Sequence, residues 1–154
     1  MPVVKKILDR LLRHTPAPAP LPEPDAEMAL GALLVRVAMS DRDYDAKEIG
    51  EIDKILALSF GLGPIEAAKM RATCERLEKA APGTGAFAKL IRTGTAHAPR
   101  VDMLTALWMV ALADGDEHGE EKALLRQLQN ALGLSDLDYK AARERAEVAH
   151  TQNG

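Results

Sequence analysis

Aromatic residues and cysteine are both scarce in this chain. Phe, Trp and Tyr make up 3% of its 154 residues, and Cys74 is the single cysteine. One thiol cannot close an intramolecular disulfide, so nothing points to the oxidising compartments of secreted proteins. No apolar run approaches the roughly 20 residues that span a bilayer, and no unbroken apolar segment marks a signal peptide. A cytoplasmic protein is expected, with peripheral contact at the inner membrane face left open. No stretch alternates apolar with polar residues over β-branched positions, so no strand is predicted. A basic excess is also missing. The formal net charge is −3, which argues against a nucleic-acid binder, because phosphates must be neutralised.

Catalytic signatures are absent too. There is no GxxxxGK[ST] loop, no GxSxG elbow and no HExxH pair. Gly83-Thr84-Gly85 follows no strand, which leaves it an interhelical turn. The histidines His14, His97 and His150 lack paired ligands at helical spacing. A di-iron bundle needs Glu-x-x-His on two helices, and only Glu147 with His150 has that spacing. No enzyme is expected.

Leu and Ala supply most of the 47% hydrophobic content, and both lose little rotamer freedom in a helix. An all-α fold follows, a bundle of about seven helices within residues 25–149. The first helix is predicted from about Asp25 to Met39, with Leu30, Leu33, Leu34 and Val37 on one face. The second starts near Asp45 and stops at Phe60-Gly61-Leu62-Gly63, where glycine supplies a left-handed cap. Pro64 opens the third, to Ala80. On it Cys74 shares an apolar face with Met70, Leu77 and Ala81, which predicts a core thiol. The fourth covers Gly85 to Arg92. The fifth covers Arg100 to Ala113, with Leu104, Leu107, Trp108 and Ala111 facing inward. The sixth runs from His118 to Leu132 and stops at Gly133. The seventh begins after the N-cap Ser135 and reaches Ala149, leaving residues 150–154 as a frayed tail.

Ahead of the bundle, residues 1–14 place Val3, Val4, Ile7, Leu8, Leu11 and Leu12 at helical spacing. Lys5, Lys6, Arg10 and Arg13 against Asp9 give this segment a net +3, so the remaining chain carries −6. A short amphipathic helix is predicted, too short to stand alone in water. It suits the domain's own surface, a partner's groove or an anionic membrane. Residues 15–24, TPAPAPLPEP, form a semi-rigid polyproline spacer.

The chain writes one acidic pattern twice. VAMSDRDYDAKE at 37–48 and VALADGDEHGEE at 110–121 share Val-Ala, then Asp-x-Asp, then a Glu five residues on. At an offset of 73, Asp41, Asp43 and Glu48 fall on Asp114, Asp116 and Glu121, and Ile52 and Ile55 on Leu125 and Leu128. Gly61-Leu62 falls on Gly133-Leu134 after one residue is dropped. An internal pseudo-twofold helical repeat, with the fourth helix as linker, is the economical explanation.

The paired segments RVAMSDRDYDAKEIGEIDKIL and ALWMVALADGDEHGEEKALLRQLQNALGLSDLDY resemble the tellurite-resistance TerB-like family, its small bacterial branch in particular. The resemblance covers about residues 25–148. It implies a compact all-α domain, a non-enzymatic role in tellurite or chemical stress, and acidic residues that bind metal. Ser40-Asp41-Arg42 departs from the Ala-Asp-Gly common in the family.

Oxygen ligands at alternate loop positions, followed by a helix-borne Glu, suit a hard divalent cation. An EF-hand is excluded because its twelfth position holds Ile52 in one copy and Leu125 in the other. The candidate metal ligands are Asp41, Asp43, Glu48, Asp114, Asp116 and Glu121, with calcium, magnesium or zinc as the ion. His118 is an optional ligand that would favour a transition metal. Capping is the competing explanation. Asp45 and Glu48 have capping-box spacing, and acids gain from the helix dipole. Asp45, Glu117 and Glu120 complete the clusters. A protein partner is also expected, and a second reading stays open: an interaction adaptor with an acidic docking face and an N-terminal attachment helix.

Overall fold

The computed structural model describes residue 21 and residues 24–40, 44–81, 83–113 and 119–153. The amphipathic segment 1–14 and most of the 15–24 spacer lie outside the described residues. So do Asp41, Asp43, Asp114, Asp116 and His118. The described residues form seven α-helices and no strand.

Helix α1 (Ala26–Met39) begins where the Asp25 side chain accepts a hydrogen bond from the Met28 amide at 2.8 Å. It is apolar on nearly every side, and Ala29 through Val35, with Val37 and Ala38, are all buried. A helix with that pattern belongs at the centre of a core. α1 packs against α3 (Pro64–Ala80), α4 (Thr84–Gly94) and α5 (His97–Ala111). The amphipathic helices α2 (Ala46–Phe60) and α6 (Gly119–Ala131) both rest on α1 and α5. α7 (Asp136–Asn153) covers α5 from outside.

Two stops share one geometry. Gly61 (φ 64°) and Gly133 (φ 70°) adopt the left-handed conformation. The Leu62 amide donates to Ala57 O at 3.0 Å, and the Leu134 amide to Gln129 O at 3.0 Å. Such six-to-one bonds satisfy carbonyls that a helix end would otherwise leave orphaned. Ser135 and Asp138 then close a reciprocal cap on α7. The Asp138 amide donates to Ser135 Oγ at 3.1 Å and the Ser135 amide to the Asp138 carboxylate at 2.9 Å.

Some helix bounds differ from expectation. α5 starts three residues before Arg100 because Pro99 falls in its first turn, where no intrahelical donor is required. α7 continues past Ala149 to Asn153, supported by an Arg143–Glu147 ion pair at 2.9 Å and by the Thr151 hydroxyl donating to Glu147 O. Cys74 is fully buried beside Leu77, as its apolar face implied.

Candidate functional site

Each acidic segment of the sequence runs into the first turn of an amphipathic helix. In α2 the third residue is Glu48, and in α6 it is Glu121. Both side chains are inside the protein, at 0% and 1% exposure. Capping does part of what the sequence suggested, since Asp45 accepts from the Glu48 amide at 3.0 Å. The rest differs from a surface capping box. The Glu48 carboxylate turns into the bundle, where Ile52, Ile55 and Leu56 of the same helix also sit buried. Glu121 does the same above Leu125 and Leu128.

Burying a carboxylate is expensive unless positive charge or several donors accompany it. Helix N-termini help a little, because their unsatisfied amides carry about half a positive charge. Two such carboxylates, at sequence positions 73 apart, are the least ordinary chemistry among the described residues. The wall on which both helices rest is shared, α1 with α5. Of the seven candidate ligands, these two are described and the other five lie outside. Among the described residues alone, no group of three or more His, Cys, Asp or Glu could hold a metal ion. The oxygen-rich set that fits a hard cation therefore needs the aspartates that precede each helix.

Beside Glu48 in sequence stands Tyr44, half-buried at the entry to α2. Burial, with the Glu75 carboxylate nearby, pushes its hydroxyl up to about 12. Arg71 on α3 lies in the same neighbourhood and donates to Asp53 on α2 at 2.6 Å and to Glu75 at 2.7 Å. This cluster ties α2 to α3 just behind the first acidic segment. Sequence reasoning missed it, although Arg71 and Glu75 stand at ion-pair spacing.

The second half is organised differently. Trp108 on α5 meets Tyr139 on α7 edge to face, with ring centroids 5.5 Å apart. Arg126 lies over the Tyr139 ring at 3.8 Å, and Arg143 over Trp108 at 5.1 Å. Gln129, buried in α6, donates to Leu134 O at 3.3 Å and to Asp136 at 2.8 Å. These contacts hold α5, α6 and α7 together beyond Glu121.

A seven-helix all-α domain carrying one buried acid at the start of each of two amphipathic helices defines the class. The family model described as "Tellurite resistance protein TerB" matches residues 27–144. The chain belongs to that family. No curated relative and no solved structure matches it.

Proposed function

We propose that this chain is a non-enzymatic TerB-type accessory protein of a tellurite or chemical stress response. In this reading it binds divalent cations through its two acidic segments. Asp41, Asp43 and Glu48 serve one segment, and Asp114, Asp116 and Glu121 the other, with His118 as a further ligand to the second. The supporting observation is the interior position of both Glu48 and Glu121. A residue that served only capping or solubility would keep its carboxylate at the surface, as the acids at the starts of most helices do. A cation held between the interior Glu and the aspartates before it offsets the desolvation of the carboxylate.

Apart from His118 the set offers oxygen ligands, which suits calcium or magnesium in a binding role. His118 biases the second segment towards zinc or another transition ion. No described helix is long and apolar enough to cross a membrane.

Isothermal titration with calcium, magnesium, manganese and zinc tests the proposal. Saturable heat is expected from the native chain and a large reduction from Asp41→Asn/Asp114→Asn. Equal heats from the two proteins would refute it.

A further inference from the structure

Among the described residues, helix α7 is covered on one side only. Tyr139, Ala142 and Ala146 face α5 and are buried. Leu137 and Val148 point the opposite way, at 80% and 57% exposure. They stand eleven residues apart, which is three helical turns, so with the exposed Ala141 they line one stripe about 16 Å long. An open depression of about 390 Å³ runs beside it, along Glu144, Arg145, Val148, Ala149 and Gln152. Single exposed apolar residues are normal on a surface, but an aligned stripe over a depression implies a partner.

We propose that the occupant is the chain's own segment 1–14. Three observations favour it. The apolar positions Val3 to Leu12 repeat at helical spacing over about 14 Å, close to the length of the α7 stripe. Its Lys5, Lys6, Arg10 and Arg13 complement Glu144 within the stripe, on a body that carries the opposite net charge.

Reach is the third. A Cβ at Gly94 would lie 3.6 Å from the Cβ of Ala26, which places the start of α1 beside the end of α4. Three residues on, the His97 ring contacts Asp138 in the first turn of α7 at 2.9 Å. The path from Ala26 to α7 is thus roughly 25 Å at most. Leu21 of the spacer already packs against the core, so residues 15–20 supply the remaining reach, about 19 Å of extended polyproline. The segment arrives at the Leu137 end, so it runs antiparallel to α7, with Leu11 near Ala141 and Val4 near Val148, the two positions in each segment being seven residues apart.

Disulfide trapping in the full chain tests this. Cys74 is buried and its thiol is pushed up to about 12, so it does not compete. Leu11→Cys/Ala141→Cys and Val4→Cys/Val148→Cys are compared with Leu11→Cys/Leu58→Cys, whose second site is exposed on α2. All the described positions are exposed, so the fold survives. Under mild oxidant both test pairs should close within the monomer at least tenfold faster than the control. Equal rates would overturn the proposal. Predominantly disulfide-linked dimers would overturn it too, and would assign the stripe to a second copy.

Discussion

Gly31 on α1 and Cys74 on α3 touch, and a Cβ added to Gly31 would collide with the Cys74 Sγ. The glycine costs some helix propensity in the middle of α1. It is tolerated because its missing side chain lets the thiol rest on the helix backbone. That contact brings α3 onto the central helix, and with it the Arg71 cluster behind the first acidic segment.

Gly31→Ala is therefore expected to destabilise despite its better propensity. Overpacking a fixed core costs about 1–3 kcal/mol. At this chain length that is a fall in Tm of roughly 2–4 °C per kcal/mol. The double variant Gly31→Ala/Cys74→Ala should recover much of the loss. Urea denaturation followed through Trp108 fluorescence measures both, and a Gly31→Ala protein as stable as the native one would contradict the packing.

Alkaline pH should weaken the fold through two acids, the buried Cys74 and the half-buried Tyr44. Cys74 is raised from 9.0 to about 12 and Tyr44 from 10.0 to about 12, in both cases mainly by burial. In each case the unfolded chain loses its proton first. Stability is full below pH 9 and falls as pH rises from there towards 12. A fully differential proton changes stability by about 1.4 kcal/mol per pH unit. Cys74→Ala should flatten the fall between pH 9 and 10, before Tyr44 contributes. Denaturation midpoints at stepped pH give the comparison.

The cap of α7 works in the opposite pH range. Its Asp138 carboxylate is held below the usual range by the His97 hydrogen bond, then by the Ser135 amide and hydroxyl. A depressed folded pKa gives stability that is present above the unfolded value, near 4, and is lost as pH falls through the folded one. Ser135→Ala should cost about 1 kcal/mol, the usual magnitude for a lost N-cap. Asp138→Asn should also remove part of the acid sensitivity, read from unfolding curves between pH 2 and 5.

Arg36 is a further test of how the first half is assembled. From α1 it donates to the Glu78 carboxylate at 3.1 Å, to Glu78 O at 3.1 Å and to Thr84 Oγ1 at 3.2 Å. It also lies 5.7 Å from the centre of the Phe87 ring. The fork joins α1, α3 and α4 at once. Arg36→Lys keeps the charge but not the planar set of donors, so it should still lose about 1–2 kcal/mol. Stability equal to that of the native chain would show that charge alone suffices.

Much of this architecture was legible in the chain. Pro64 and the glycines at 61 and 133 mark helix ends because their backbone preferences are local, and helical spacing placed Cys74, Leu33 and Trp108 inside. What escaped was decided across space. Glu48 fits a capping box by spacing, and only the wall of α1 and α5 determines that its carboxylate turns inward. The pairing of Arg71 with Asp53 on another helix has no local signature, nor does the hold of Arg36 on α3 and α4. The stripe on α7 could be traced by period, but its exposure depends on which helix covers the other side.

If interior Glu48 and Glu121 belong to cation sites, bound metal must raise the stability of the fold through them. Thermal unfolding of the native chain is compared with Glu48→Gln/Glu121→Gln, which keeps side-chain shape and removes charge, with and without saturating calcium, magnesium or zinc. Ligand at a hundred times its Kd adds about 2.7 kcal/mol, or roughly 5–10 °C in Tm at this size. That rise is expected for the native chain with at least one of these ions, and its loss in the double variant. No rise with any of them, or the same rise in both proteins, would contradict it.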